Sequence, residues 1–307
     1  MSMTSTRPNL AGSFRCLAIA ATISSCGGRD AVSPTPDEML PPVNGHVLFT
    51  SGRNQNIDVY TMAGDGSGQS RLTWNAAVDQ SADWSPDGTR IAFMSDRDGD
   101  YEIFVMSANG AGLRQITSNA AADGFPRWSP DGTQILFTSS RGGDLELYVM
   151  RPDGTNQTRL PLSAGDESGG AWSPDGTRIA VVSSRVDSHE IYLLRTDGGS
   201  AVRLTSNSLV EGSRIAWSPD GAVIVFHASL DGNADIYLIN ADGTNLKRLT
   251  NGPGKDRFPA WSPDGRRIAF TTDRDGDDEI YSMNVDGSVL ERLTNSESLD
   301  VLDSWRR

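Results

Sequence analysis

The chain has 307 residues, room for one large domain or two small ones. Its 40 acidic and 27 basic side chains leave a formal charge of −13. That balance speaks against nucleic acid and anionic membrane faces as partners, because both would repel it, and it leaves basic partners and cations open.

Residues 1–25 read as a leader. Arg7 and Arg15 are its charged residues, and the apolar run at 16–23 is too short to span a bilayer. The run ends in Ile23-Ser24-Ser25-Cys26-Gly27, which resembles a bacterial lipobox: an aliphatic residue, two small ones, then cysteine. The resemblance implies cleavage before Cys26 and a lipid on its sulfur. With glycine rather than aspartate next, it also implies the outer membrane as destination. An ordinary secretory signal cut elsewhere is the alternative. If Cys16 leaves with the leader and Cys26 is capped, no disulfide forms and the fold must stand on its core. Residues 26–44 hold Pro34, Pro36, Pro41 and Pro42 and few apolar groups, so they read as a tether. Such a segment reaches roughly 25 Å as a coil and roughly 55 Å as polyproline.

From residue 45 onward the chain repeats. Trp84-Ser85-Pro86-Asp87-Gly88 returns at Trp128, Trp172, Trp217 and Trp261, with steps of 44, 44, 45 and 44 residues, and Trp305 stands 44 past Trp261. A fixed period of this length marks a repeat architecture. Proline suits the second corner of a type I turn, aspartate the third, and glycine the positive φ that follows, so the pentad predicts a hairpin. Trp closes the strand before the turn, where a large ring can fill the space between neighbouring sheets. An apolar strand follows each turn, beginning at Ile91, Ile135, Ile179, Ile224 and Ile268, with Val47 as a sixth, earlier copy.

Each copy then shows a third apolar segment, a second turn such as Ala63-Gly64-Asp65-Gly66 or Arg151-Pro152-Asp153-Gly154, and a fourth segment ending in Arg-Leu-Thr or a variant of it. Four short antiparallel strands per repeat predict a propeller blade. The first copy lacks its own Trp strand. The chain supplies one last, at 301–306, and this predicts a ring closed by pairing the tail with the head, which removes free sheet edges. The expected fold is all-β: a six-bladed β-propeller of four-stranded antiparallel blades over residues 45–307.

The succession Trp-Ser-Pro-Asp-Gly, Ile-Ala-Phe, Ser-Asp-Arg-Asp-Gly, Glu-Ile-Tyr, Arg-Leu-Thr resembles the WD40-like propeller repeat of TolB-type proteins, over essentially the whole of 45–307. TolB carries an α/β domain before its propeller, where this chain has the tether. The resemblance implies a non-catalytic, lipid-anchored envelope protein that binds a protein or extended peptide. Its expected home is the outer membrane, on the periplasmic or surface side, and its expected state is a monomer.

Loops joining strands two and three share a face with the links between blades. The copies differ there, so function is expected there. Five positions before the Trp stand Asp79, Asp123, Glu167, Asp256 and Asp300; in the copy before Trp217 the position holds Gly212, with Glu211 one place earlier. After the second strand stand Arg53, Arg97, Arg141, Arg185 and Arg274, and the copy without arginine has Leu230. The acid slips and the arginine vanishes in the same copy, so the two are read as an intra-blade ion pair. The other reading is that the acids ring the channel mouth and bind a cation or basic peptide. A second acid opens each third strand: Asp58, Glu102, Glu146, Glu190, Asp235 and Glu279. Which of the two acids takes the arginine stays open.

Asp96-Arg97-Asp98-Gly99-Asp100 and Asp273-Arg274-Asp275-Gly276-Asp277 look calcium-like, but glycine is fourth where an EF-hand loop needs it sixth, so solvated turns are expected. His46, His189 and His227 fall in different copies, which speaks against a shared metal or catalytic dyad. Hydrolase elbows, zinc-protease motifs and phosphate loops are missing from the sequence. No cofactor is expected. The alternative function is a carbohydrate-active or other hydrolase using carboxylates at the channel mouth as acid and base.

Overall fold

Each Trp-Ser-Pro-Asp-Gly segment is the tip of a hairpin. In the first of them the N–H of Gly88 donates to the carbonyl of Ser85 at 2.9 Å, and Gly88 takes φ 69°. The serine does more than occupy a corner. Its hydroxyl donates to Asp87 Oδ1 at 2.5 Å and accepts the N–H of Arg90 at 2.9 Å. Ser129, Ser173, Ser218 and Ser262 make the same donation to Asp131, Asp175, Asp220 and Asp264.

In a computed structural model of the chain, the residues described are 45–160, 165–186, 188–197, 199–206, 210–230 and 232–306. They form six sheets of four antiparallel strands, arranged as a propeller. The second blade is typical: Asp79–Trp84 lies innermost, then Arg90–Ser95, Glu102–Ser107 and the two-residue outer strand Arg114–Gln115. The first blade takes its innermost strand, Asp300–Arg306, from the end of the chain, and Trp305 sits opposite Val47. Ring closure by the C-terminal strand is thus as expected. The leader, Cys26 and the tether lie outside the described residues, as do Pro161 and the side chains of Arg185, Glu211 and Leu230.

The core sits between blades. Trp84 packs with Leu48 and Val59 of the first blade, and Trp128 with Ala92 and Ile103 of the second. In the middle strands Phe49, Phe93, Phe137, Phe226 and Phe270 are fully buried. Each such side chain contributes about 1.5–3 kcal/mol by leaving water.

One feature shapes the axis. In the second to sixth blades the innermost strand breaks register in a bulge shortly before its Trp, between Gln80 and Asp83 in the second. Inside these bulges Ser81, Phe125, Gly169 and Phe258 take φ of 58°, 55°, 62° and 55°. A positive φ is costly for a bulky residue. Here it brings Ser81, Phe125 and Phe258 to the central channel.

Candidate functional site

The loop face is organised by a repeated latch. Asp79 lies opposite Ser95 across the two inner strands. Two residues later the chain turns, and Arg97 folds back over both. Its Nε donates to Ser95 Oγ at 2.9 Å and its NH2 group to Asp79 Oδ1 at 2.9 Å and Oδ2 at 3.1 Å. The guanidinium also lies 4.5 Å from the centre of the Phe104 ring. Arg53 meets Asp300 at 2.5 Å, Arg141 meets Asp123 at 2.6 Å and Arg274 meets Asp256 at 2.9 Å in the same way. In the fourth blade Glu167 sits opposite Ser183. Asp79, Asp123, Asp256 and Asp300 have no exposed surface, and Glu167 has 1%. What approaches this face meets the loops before it meets these carboxylates.

The fifth blade corrects one expectation. Glu211 has not slipped out of place: its cross-strand partner is Ala228, the position that holds Ser or Thr in the other blades. The extra residue of the 45-residue step is absorbed by a wider bulge, between Glu211 and Ile215. What changes in this blade is the hydroxyl, now Ala228, and the arginine, now Leu230. Gly212 is needed where it stands, because a Cβ there would run into the ring of His227. Burial pushes the His227 imidazole down to about 3, with Arg257 and Arg214 nearby adding to the effect, so it is neutral.

The second set of acids has its own arginines, those of the Arg-Leu-Thr segments. Arg71 meets Asp58 at 2.7 Å, Arg203 meets Glu190 at 2.5 Å, Arg248 meets Asp235 at 2.5 Å and Arg292 meets Glu279 at 2.9 Å; Arg159 pairs with Glu146. The threonine completes the clamp. Thr205 accepts the N–H of Ile191 at 2.9 Å and donates to Glu190 Oε2 at 2.6 Å. The second blade departs from this: Gln115 stands in the arginine's place and turns its amide to Asp98, and no cation pairs with Glu102 among the described residues.

The channel is crossed by a residue that the sequence reading did not single out. Three places before each Trp stand Ser81, Phe125, Gly169, Arg214, Phe258 and Leu302. Arg214 reaches from the fifth blade to the first and second. It donates to the carbonyls of Leu302 at 2.7 Å and Asp303 at 3.3 Å, to Ser81 Oγ at 3.0 Å and to Asp303 Oδ1 at 3.0 Å. Thr50 supports Asp303 from the other side at 2.7 Å, and the Phe258 ring lies 5.2 Å from the guanidinium carbon. Burial pulls the Arg214 pKa down while Asp303 holds it up. The remaining space beside Phe125, Gln80 and Val301 is about 10 Å³, room for one water.

The acids of the calcium-like loops are spread over separate partners. Asp96 accepts the N–H of Val78 at 2.8 Å, Asp273 accepts that of Lys255 at 2.7 Å, and Asp275 takes the Tyr281 hydroxyl. Among the described residues no group of three or more His, Cys, Asp or Glu side chains is placed to hold a metal. The seventh tryptophan, outside the repeat register, is Trp74 on the link between the first two blades. It is 44% exposed, with Arg71 stacked 4.7 Å from its ring centre.

Among solved structures the chain is similar to TolB from Acinetobacter baumannii. The two are 23% identical, with a TM-score of 0.75, over 85% of this chain and 66% of that one, so the chain spans just under two thirds of that protein's length. It is similar to a putative TolB from Agrobacterium tumefaciens at 21% identity and a TM-score of 0.67, over 85% and 92% of the two chains. An oligogalacturonate lyase in complex with manganese aligns at 17% identity and a TM-score of 0.57, over 83% and 73%. At these identities the likeness to solved structures speaks for the fold. A search of curated proteins finds no match. The profile of the TolB beta propeller domain matches residues 34–124, 114–214 and 210–306, and the chain therefore belongs to the TolB-type β-propeller family.

Proposed function

We propose that this chain is a non-catalytic propeller of the cell envelope, anchored by a lipid on Cys26, that binds a protein or an extended peptide on its loop face. The observation that carries the reading is the state of the axis. The Arg214–Asp303 pair lies across the axis, and the carboxylates that could have served chemistry at the mouth are buried, four of them against arginine. Surface chemistry is left to the loops. There Trp74 offers an open ring face, and the net charge favours a basic partner. Membership of the TolB-type family supports an envelope location and a protein partner. A monomer on the outer membrane is part of the same proposal.

A hydrolytic or lyase reading draws on the likeness to oligogalacturonate lyase. It would need an arginine-free carboxylate within reach of substrate. Among the paired sets Glu102 has no arginine, but it has no exposed surface, so a glycosidic oxygen cannot reach it.

The test is photocrosslinking in living cells from Trp74 and from His189, both on the loop face, with Asp242 on the opposite turns as control. A saturable protein adduct from the first two positions and none from the third is expected. Equal or absent capture at all three sinks the reading. Cys26→Ser should release the protein from the membrane fraction, and retention there would remove the anchor.

A further inference from the structure

The ring carries six copies of one acidic clamp, so five of them serve as controls for the sixth. In the first, third, fourth, fifth and sixth blades the acid opening the third strand is neutralised by the arginine of the outermost strand. In the second blade the rest of the clamp is kept. The N–H of Ile103 donates to Thr117 Oγ1 at 2.8 Å, as its counterparts do to Thr73, Thr205, Thr250 and Thr294. Only the arginine is exchanged, for Gln115, which is turned to Asp98.

Glu102 is left fully buried. One oxygen, Oε1, accepts the N–H of Asn119 at 2.6 Å on the link to the third blade, and Thr117 faces the carboxyl as the other threonines face theirs. The charged groups that face it are Asp100, from the loop before its own strand, and Asp123, from the innermost strand of the third blade. Asp123 already takes Arg141, so that cation is committed elsewhere. A carboxylate in this position has burial and two like charges against it and two hydrogen bonds, from Thr117 and Asn119, in its favour, but no cation among the described residues. A neutral carboxyl avoids both costs. With no exposed surface, the carboxyl is placed to take a proton rather than a hydrated cation.

We propose that Glu102 is a proton-binding site built into the ring, and that its ionisation loosens the link between the second and third blades. The link is fastened through this residue. Asn119, held by Glu102, passes its side-chain amide to Asp123 Oδ2 at 2.8 Å and accepts the N–H of Ala121 at 2.9 Å. That link belongs to the loop face, so proton uptake at Glu102 sets the order of one sector of that face. Burial raises the Glu102 pKa to about 7 against the hydrogen bonds of Thr117 and Asn119, which favour the charged form, and Asp123 and Asp100 add to the rise, which places the change near neutrality.

The experiment is a carbon-13 titration of the side-chain carboxyl in the full chain, with Glu102 assigned by its loss in Glu102→Gln. Amide exchange at Asn119 is followed beside it and corrected for intrinsic rates. A midpoint near neutrality is expected, together with exchange that speeds up about tenfold per pH unit on the acid side of it and levels off above it. Gln115→Arg, which supplies the arginine of the other five blades, should bring the midpoint down and flatten the exchange. It also keeps the test open if Glu102→Gln folds poorly. An ordinary midpoint in the parent, a midpoint unmoved by Gln115→Arg, or exchange at Asn119 indifferent to the titration overturns the proposal.

Discussion

Arg214 and Asp303 meet at 3.0 Å on the axis of the ring, 89 residues apart in sequence. The acid belongs to the strand that closes the propeller, so the pair ties the fifth blade to the seam between head and tail. Both side chains are nearly shut off from solvent, at 9% and 1% exposed. Removing one partner strands the other. Arg214→Met should therefore cost about 3–5 kcal/mol, read as a lower urea midpoint. Hydrogen exchange should speed up first along 300–306. The double variant Arg214→Met with Asp303→Leu should recover part of the loss, because neither charge is then left alone. A midpoint unchanged in the single variant would falsify the clasp.

Much of the frame was legible in the residues, because it is made of local devices. The pentad states its turn chemistry outright, and Trp305 announces the closing strand by falling into the period of the other tryptophans. Arg214 had no such signal. The place three before the Trp holds a different kind of residue in nearly every copy, and the partner lies at the other end of the chain. Glu211 escaped for another reason. Counting back from Trp217 assumes an unbroken strand, and the wider bulge inserts one residue that the count cannot see. The destination of each arginine was open in sequence because both acids are near in number. The strand register leaves it open too, since Ser95 lies opposite both Asp79 and Glu102; what decides it is the outer-strand arginine, which takes the third-strand acid in five blades and leaves the inner acid to the loop arginine.

The latch should be worth more than its surface position suggests. Arg97 is only 19% exposed on its side chain and Asp79 not at all. Arg97→Ala should cost about 3 kcal/mol, since it leaves a buried carboxylate without its cation. Arg97→Lys should restore only part, because an ammonium cannot hold Ser95, both Asp79 oxygens and the Phe104 ring face together. Arg195→Ala is the contrast: Arg195 and Asp197 are 65% and 58% exposed, and the change should leave the melt essentially where it was. Equal losses at Arg97 and Arg195 in thermal melts would remove the distinction.

Glycine in the second turn answers to a neighbouring blade as well as to its own φ. Gly66 sits at φ +86°, and a Cβ there would lie 2.5 Å from the carbonyl oxygen of Leu293 in the sixth blade. Gly176 has φ +70° with nothing within 4 Å of the same point. Gly176→Ala should then carry only the backbone cost, on the order of 1 kcal/mol. Gly66→Ala should cost more, because a backbone carbonyl cannot swing aside as a side chain would. Thermal melts of the two variants side by side check the ranking. A larger loss at Gly176 would show that blade-to-blade approach is not what holds this glycine.

Two buried groups should pull the pH dependence of stability in opposite directions. His227 is depressed to about 3 from an ordinary 6.5, so the folded ring resists its protonation. Its contribution is complete above 6.5 and drains away as pH falls toward 3, by up to roughly 1.4 kcal/mol per unit. Glu102 is raised to about 7 from 4.5, so the folded ring prefers its proton. That contribution is complete below 4.5 and is lost as pH rises toward 7. Between 4.5 and 6.5 the two slopes oppose each other. Difference curves of urea midpoint, variant against parent, separate them. Glu102→Gln should gain on the parent steadily from 4.5 to 7, and His227→Phe should gain as pH falls from 6.5. The asparagine amide held by Glu102 ties the first curve to the loop face, while the glycine packed under His227 ties the second to the fifth blade, so a variant that moves both curves together would mean the two sectors are coupled through the ring.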